Sequence, residues 1–256
     1  MRTTILGCGP SGGVPLIGND WGACDPGNPR NRRRRASVLI EEGGAVILID
    51  TSPDMRAQLL DVGTARIDAI FYTHAHADHT HGIDEIRGLN RASGQPIPIY
   101  ASAETLAEIR KRFSYIFAPV NPGYATTFYK PALVLHTIEG PFAAAGVAVT
   151  PFIQDHGFIK TLGFRFHRLA YSTDVVRLDE AAFAILAGID TWIVDCYRRE
   201  PQPTHTHLAQ TLEWIDRVKP RRAILTHMDR TLDYESLRRE LPPGVEPAYD
   251  GMVIEV

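Results

Sequence analysis

Thr73-His74-Ala75-His76-Ala77-Asp78-His79 packs three histidines and an aspartate into six consecutive positions, 74–79. His74 and His76 stand two residues apart, so an extended backbone turns both imidazoles to one side. The spacers Ala75 and Ala77 are small and leave room for an ion. Imidazole and carboxylate without sulfur suit zinc, and also manganese or iron. Four such groups on one loop are more than one tetrahedral ion needs. The pattern therefore predicts two divalent metal ions, each completed by side chains from elsewhere in the chain.

Other apolar runs stop at residues of the same types. One ends at Asp155-His156, one at Asp174 after Ser172-Thr173, and one at His227 after Leu225-Thr226. A ligand placed where a strand ends is held by a rigid element. Taken singly, His156, Asp174 or His227 would read as an ordinary polar strand end. Together with the 74–79 cluster they read as a site.

Thr-His-x-His-x-Asp-His after a short strand resembles the signature of the metallo-β-lactamase superfamily, and the later histidine, aspartate and final histidine follow in the same order. The resemblance implies an α/β fold, a four-layer αββα sandwich spanning residues 1–256 as one domain. It implies a first metal on His74, His76 and His156, a second on Asp78, His79 and His227, and Asp174 bridging them. Finer features are similar to the branch that contains the phosphoribosyl cyclic phosphodiesterases: Leu6-Gly7-x-Gly9, Ser11-Gly12-Gly13-Val14-Pro15, His81-Gly82-Ile83-Asp84-Glu85-Ile86-Arg87 and Asp250-Gly251. That branch carries a structural zinc on a Cys-x-Cys-x-x-Cys loop. Of the matching stretch here, 19–24, only Cys24 is a cysteine, so no such zinc is expected.

The resemblance implies a metal-dependent hydrolase. Two cations sharing a water lower its pKa toward roughly 7 and neutralise charge on a reacting phosphate. The expected substrate is a small cyclic or nucleotide-like phosphodiester. The competing readings are hydrolysis of a carboxyl ester, thioester or lactone on the same core, processing of transfer RNA 3′ ends, and a non-enzymic binding protein. Asp78 and His205 are the residues expected to act in catalysis, with His205, Gly12 and Gly13 at the substrate. His205 precedes a helix in Thr204-His205-Thr206-His207, and His207 is its rival. Asp50 closes an apolar run and would either buttress the histidine loop, as the resemblance implies, or cap a turn.

Elements must place these groups. Strands are expected over 3–6, 36–41, 45–49, 67–72, 97–100, 147–153, 162–166, 169–172, 192–194, 223–226 and 252–256. Helices are expected over 54–62, with Met55, Leu59 and Leu60 on one face, and over 84–93, 103–113, 181–186, 208–218 and 235–241. In the 103–113 helix Thr105, Glu108 and Lys111 are expected to face water. Glu42-Gly43-Gly44 marks a hairpin turn.

Composition narrows the alternatives. The 256 residues carry a net charge of -3, which argues against wholesale binding along a nucleic-acid backbone and against a stable nucleic-acid complex. Three cysteines, Cys8, Cys24 and Cys196, form no disulfide framework. No run of about 20 apolar residues is present to span a membrane, and residues 1–6 lack a signal-peptide core, so a cytoplasmic protein, with a homodimer allowed, is expected. Gly7-x-Gly9-x-x-Gly12 fits a dinucleotide-binding pattern, but Gly13, Pro15 and Gly18 follow where a helix should open. Arg30 and Arg32–Arg35 would either pair with acidic neighbours or attract an anionic substrate. Phe113, Tyr115, Phe117, Tyr124, Phe128 and Tyr129 would form a lid or stacking surface, or else core or a dimer interface.

Overall fold

Residues 38–40 and 47–49 are apolar at every position, and the pleat of a strand sends neighbours to opposite faces. Val38, Ile40, Ile47 and Ile49 enter one buried core, while Leu39 and Leu48 enter another. Strands with two buried faces belong between other layers. The computed structural model describes residues 1–120, 123 and 127–256, and these form two seven-stranded sheets with helices outside both.

The first sheet begins with β1 (Arg2–Gly7), β2 (Ser37–Glu42), β3 (Ala45–Ile49), β4 (Ala69–Phe71), β5 (Ile97–Ala101) and β6 (Leu133–Thr137). The second holds β7 (Phe142–Ala144), β8 (Val147–Asp155), β9 (Lys160–Phe166), β10 (Leu169–Ser172), β11 (Thr191–Asp195), β12 (Arg222–Thr226) and β13 (Val245–Pro247). The last strand, β14 (Val253–Glu255), returns to the first sheet beside β1. The helices are α1 (Met55–Val62), α2 (Ala77–Thr80), α3 (Ile86–Ser93), α4 (Ala103–Arg112), α5 (Ser114–Phe117), α6 (Glu180–Leu186), α7 (Leu208–Val218) and α8 (Tyr234–Glu240).

Leu59, Ile86, Leu89, Leu106 and Ile109 press α1, α3 and α4 onto the outer face of the first sheet. Phe183, Trp214, Ile215 and Leu237 bring α6, α7 and α8 into the core of the second. Between the sheets, Phe71 meets Phe164 at 5.4 Å and Phe142 at 5.2 Å between ring centroids. This is the αββα sandwich expected. Each sheet combines an antiparallel part with a parallel part: β3–β6 in the first and β10–β13 in the second. In α/β sheets, sites gather at the carboxyl ends of parallel strands, and the parallel parts point several of theirs at one place.

The Glu42-Gly43-Gly44 hairpin forms as expected. Gly43 and Gly44 have φ of 58° and 85°, the left-handed pair that a tight two-residue turn requires. Several expectations need correction. Leu60 is exposed and Gln58 takes its place in the buried face of α1, because the Gln58 amide bridges the Ser52 hydroxyl and the Arg35 carbonyl. Thr105 is buried, since Ser102 caps α4 and bonds both its backbone N–H and its hydroxyl. Strands β6, β7 and β13 were not expected; two are edge strands of three residues, and β6 is a half-exposed edge. The strand over 67–72 is shorter, Ala69–Phe71, and just beyond it the Thr73 backbone N–H turns to the Asp50 carboxylate instead of a neighbouring strand.

Candidate metal centre

β4 stops at Phe71, and the chain continues through His74 and His76 into the short helix α2, which carries Asp78 and His79. β8 runs out into His156, β10 into Asp174, and β12 into His227. All seven side chains meet. The ligand atoms of His74, His76, His156 and Asp174 lie within 4.8 Å of one another, as do those of Asp78, His79, Asp174 and His227. Asp174 belongs to both groups. Its Oδ2 lies 3.6 Å from His74 Nε2 and 3.7 Å from His156 Nε2. Its Oδ1 lies 3.2 Å from His79 Nε2 and 3.4 Å from His227 Nε2.

The backbone pays for this convergence with strain. Asp50, Asp174 and His227 adopt φ of 62°, 55° and 59°, a region non-glycine residues seldom enter. Each sits just beyond β3, β10 or β12, where a left-handed turn swings the side chain over the strand end. Such conformations persist where the surroundings over-determine them, and they cluster at sites.

In three of the rings the second nitrogen explains the direction of the first. His156 Nδ1 bonds the Thr204 carbonyl at 2.7 Å. A carbonyl only accepts, so Nδ1 carries the proton and Nε2 presents a bare lone pair. His79 Nδ1 is likewise held by Asp50 Oδ2 at 2.7 Å, and His74 Nδ1 lies 2.9 Å from the Thr73 hydroxyl. Asp50 also accepts from the Thr73 backbone N–H and hydroxyl, both at 2.8 Å. It is therefore a buttress of the histidine loop. The Nε2 atoms of His74, His79 and His227 are buried and make no hydrogen bond. Buried polar atoms without partners are costly, and imidazoles tied back through Nδ1 with Nε2 converging on shared carboxylates are the arrangement of a metal centre. Nitrogen and oxygen donors without sulfur fit a zinc-type divalent metal.

Charge differs across the site. Burial pulls His74, His76 and His156 below the usual imidazole range. Burial also works against protonation of His79 and His227, but Asp174 and Asp78 outweigh it, holding His227 at about 9 and His79 well above its ordinary value. Burial alone would raise Asp78, yet His79 and His227 keep it well below the usual carboxylate range.

His205 stands at the rim, with Nε2 3.8 Å from Asp174 Oδ2. Its Nδ1 bonds Asp195 Oδ2 at 2.9 Å, and its ring lies against those of Tyr197 at 4.8 Å and His227 at 4.7 Å between centroids. His207 occupies the N-cap position of α7 and joins no ligand group. Asp195 and Tyr197 were not singled out from sequence. The signal for Asp195 was present, since β11 is an apolar run ending at a carboxylate, the same sign that marked Asp174.

The glycine-rich segment opens no helix; the first helical turn after it is Pro29–Asn31. Gly7 and Gly9 are required by close approach, because a Cβ at Gly7 would lie 2.1 Å from the Arg35 carbonyl oxygen and one at Gly9 2.8 Å from Arg33. Gly13 donates its N–H to the Pro10 carbonyl, and Gly12 is exposed beside Leu16. The arginine run is structural. Arg33 is buried and donates to the carbonyls of Asp229 at 2.9 Å and Leu232 at 2.6 Å, pinning the segment that follows His227. Arg34 pairs with Asp61 and Arg35 with Asp54. Arg32 lies over Trp21, and Arg30 over Tyr234 and Tyr249. Cys24 is buried with Sγ 3.6 Å from the Leu232 carbonyl oxygen, and Cys8 and Cys196 are also free and buried. Of the aromatic stretch, Phe113 and Phe117 pack against the core, Tyr115 donates to Asp84, and Tyr124 lies outside the described residues. No helix among the described residues is long and apolar enough to cross a membrane.

Known proteins share this architecture. Residues 46–228 match the family described as the beta-lactamase superfamily domain. A crystal structure of a diphosphatase from the PhnP family superposes with a TM-score of 0.91 at 35% identity, covering 100% of this chain and 97% of that one. Zinc-bound PqqB from Methylobacterium extorquens, at 20% identity and a TM-score of 0.74, shares the fold. An octanoyltransferase of Porphyromonas gingivalis is 31% identical over 255 residues, 98% of this chain and 51% of that protein. The chain spans about half the length of the curated relatives it matches first. With the family matched from β3 to the residue after His227, and a PhnP-family structure followed end to end, this chain belongs to the beta-lactamase superfamily and has the metallo-β-lactamase fold.

Proposed function

We propose that the chain is a dinuclear-metal phosphodiesterase acting on a small cyclic or nucleotide-like phosphodiester. The observation that carries the reading is Asp174, one carboxylate whose two oxygens face two separate ligand groups. His74, His76 and His156 would hold one ion, Asp78, His79 and His227 the other, and Asp174 both; zinc suits the donors, with manganese or iron as alternatives. Bound divalent ions at such a site supply a hydroxide-like nucleophile at neutral pH and offset charge on phosphate oxygens.

The chain's own groups supply the rest. Asp50 fixes the His79 tautomer and the turn at Thr73, so the 74–79 segment is positioned before substrate arrives. Asp78 would complete the second ion's ligands beside His79 and His227. His205 is the proton donor to the leaving oxygen, from Nε2. Asp195 accepts from Nδ1, which orients the ring, and contact with the Tyr197 and His227 rings fixes its plane. A phosphate ester with a poor leaving group gains from such a donor, and the 35% identity to a PhnP-family diphosphatase supports phosphorus chemistry.

Zinc- or manganese-loaded protein assayed on bis-p-nitrophenyl phosphate, cyclic nucleotides and nitrocefin tests the reading. Phosphodiester turnover without lactam turnover is expected. Turnover of nitrocefin alone would replace the proposal.

A further inference from the structure

A groove of about 840 Å³ lies beside the metal centre, and its lining includes His74 and Ala75 of the ligand loop itself. The β8–β9 hairpin supplies Ile153, Ile159 and Leu162, and α6 supplies Ile185. Ile153 is 60% exposed and Ile159 38%, and Phe158, in the turn between them, is 87% exposed. Apolar side chains gathered in the open next to a reactive centre mark a binding surface more often than a packing accident.

The charge on this groove is one-sided. Glu104, Glu108, Glu139 and Asp179 line it, against a single cation, Lys160. The Lys160 ammonium is already 3.3 Å from Asp155. Glu108 pairs with Arg112 at 3.2 Å, but Glu104 and Glu139 have no ion-pair partner among the described residues. A second phosphate or a carboxylate entering here would meet like charge and find no free donor cation.

The geometry points to a specificity pocket: the groove receives one substituent of the phosphodiester, and that substituent is an apolar, uncharged alkyl or aryl group. The inference rests on the phosphodiester reading and narrows it to diesters of one lipophilic alcohol. The continuity of the groove with the His74 loop makes the substrate, rather than another protein, its occupant.

Calorimetric binding of monomethyl phosphate and mono-n-octyl phosphate to the zinc-loaded protein reads this without any turnover. Each methylene removed from water tightens binding by about fourfold, so the octyl ester should bind about thirtyfold or more tighter even when only part of its chain is covered. Ile153→Asp should cut that advantage by about tenfold, and Ile159→Asp, which tests the same wall if the first variant does not fold, should do likewise. An octyl phosphate ending in a carboxylate should lose most of the gain. Equal affinity of the two esters, or a gain that survives both substitutions, overturns the inference. Turnover separates the two claims. Preferential octyl binding with no phosphodiester hydrolysed leaves the groove standing and removes the phosphodiesterase. Hydrolysis of methyl and octyl diesters at equal kcat/KM, with equal binding, does the reverse.

Discussion

The two halves of the molecule reach the same site by different means. The first sheet delivers four ligand-type side chains from one six-residue segment, His74 to His79, held by a single buried carboxylate, Asp50. The second sheet delivers His156, Asp174, His227 and the rim residue Asp195 from separate strand ends, and His205 from the segment between β11 and α7, spread over seventy-odd positions. The three ligand-type residues are fixed by local devices, a left-handed turn at Asp174 and His227 and a carbonyl partner at His156. One half concentrates its positioning and the other distributes it. A concentrated arrangement should fail at one buttress, and a distributed one should fail ligand by ligand.

Asp174 is the exception in the distributed half, because both ion sites draw on it. Asp174→Ala should reduce zinc from two per chain to one or none, read by elemental analysis, and lower kcat/KM on the order of 10³-fold. Retention of both ions would show that the halves do not share it. His205→Gln should lower kcat by about 10²-fold while leaving zinc content intact. His207→Gln should stay within about twofold, and equal losses in the two variants would remove His205 from its role.

Asp50→Asn tests the concentrated half directly. It touches no substrate, yet it should weaken metal binding by about 10–100-fold, the usual cost of losing a partner that orients ligands. A loss no larger than that from Thr204→Val, which leaves the backbone carbonyl at His156 in place, would mean that the first half is not held by one buttress.

The smallest expected effect lies where the chain's end joins its beginning. Asp250 accepts from the backbone N–H groups of Cys8 and Arg34, and burial pushes its pKa up to about 6. A carboxyl raised above its unfolded value gives stability that is complete below about pH 4 and lost as pH rises through about 6. Thermal unfolding should therefore show a decline across that window, on the order of 2–3 kcal/mol, that Asp250→Asn abolishes. An unchanged pH profile in the variant would assign the decline to other groups.

The same contrast governs what the amino-acid sequence reveals. The 74–79 cluster is legible because the chemistry is contiguous and its spacing matches an extended strand end turning into a helix. Asp174 and His227 gain meaning only as members of a set, since a single polar residue at a strand end is commonplace. Asp195 carries the same sign, yet nothing local distinguishes a carboxylate that orients a histidine from one that caps a loop. Core strands rich in branched residues are plain from sequence, as in 38–40 and 47–49. The edges β7 and β13 are three residues each, too short for a period to show. Gln58 replaced Leu60 in the buried face of α1 through partners far away in sequence, which no local pattern records. The arginine run read as equally suited to substrate or structure, and only tertiary contacts with Asp54, Asp61 and the carbonyls after His227 decide for structure.

Anomalous diffraction at the zinc edge, from crystals of protein loaded with zinc and washed free of excess, tests the central claim most directly. The account predicts two peaks flanking the Asp174 carboxylate, one among His74, His76 and His156 and the other among Asp78, His79 and His227. A single peak away from Asp174, or none in protein that binds zinc in solution, would contradict it.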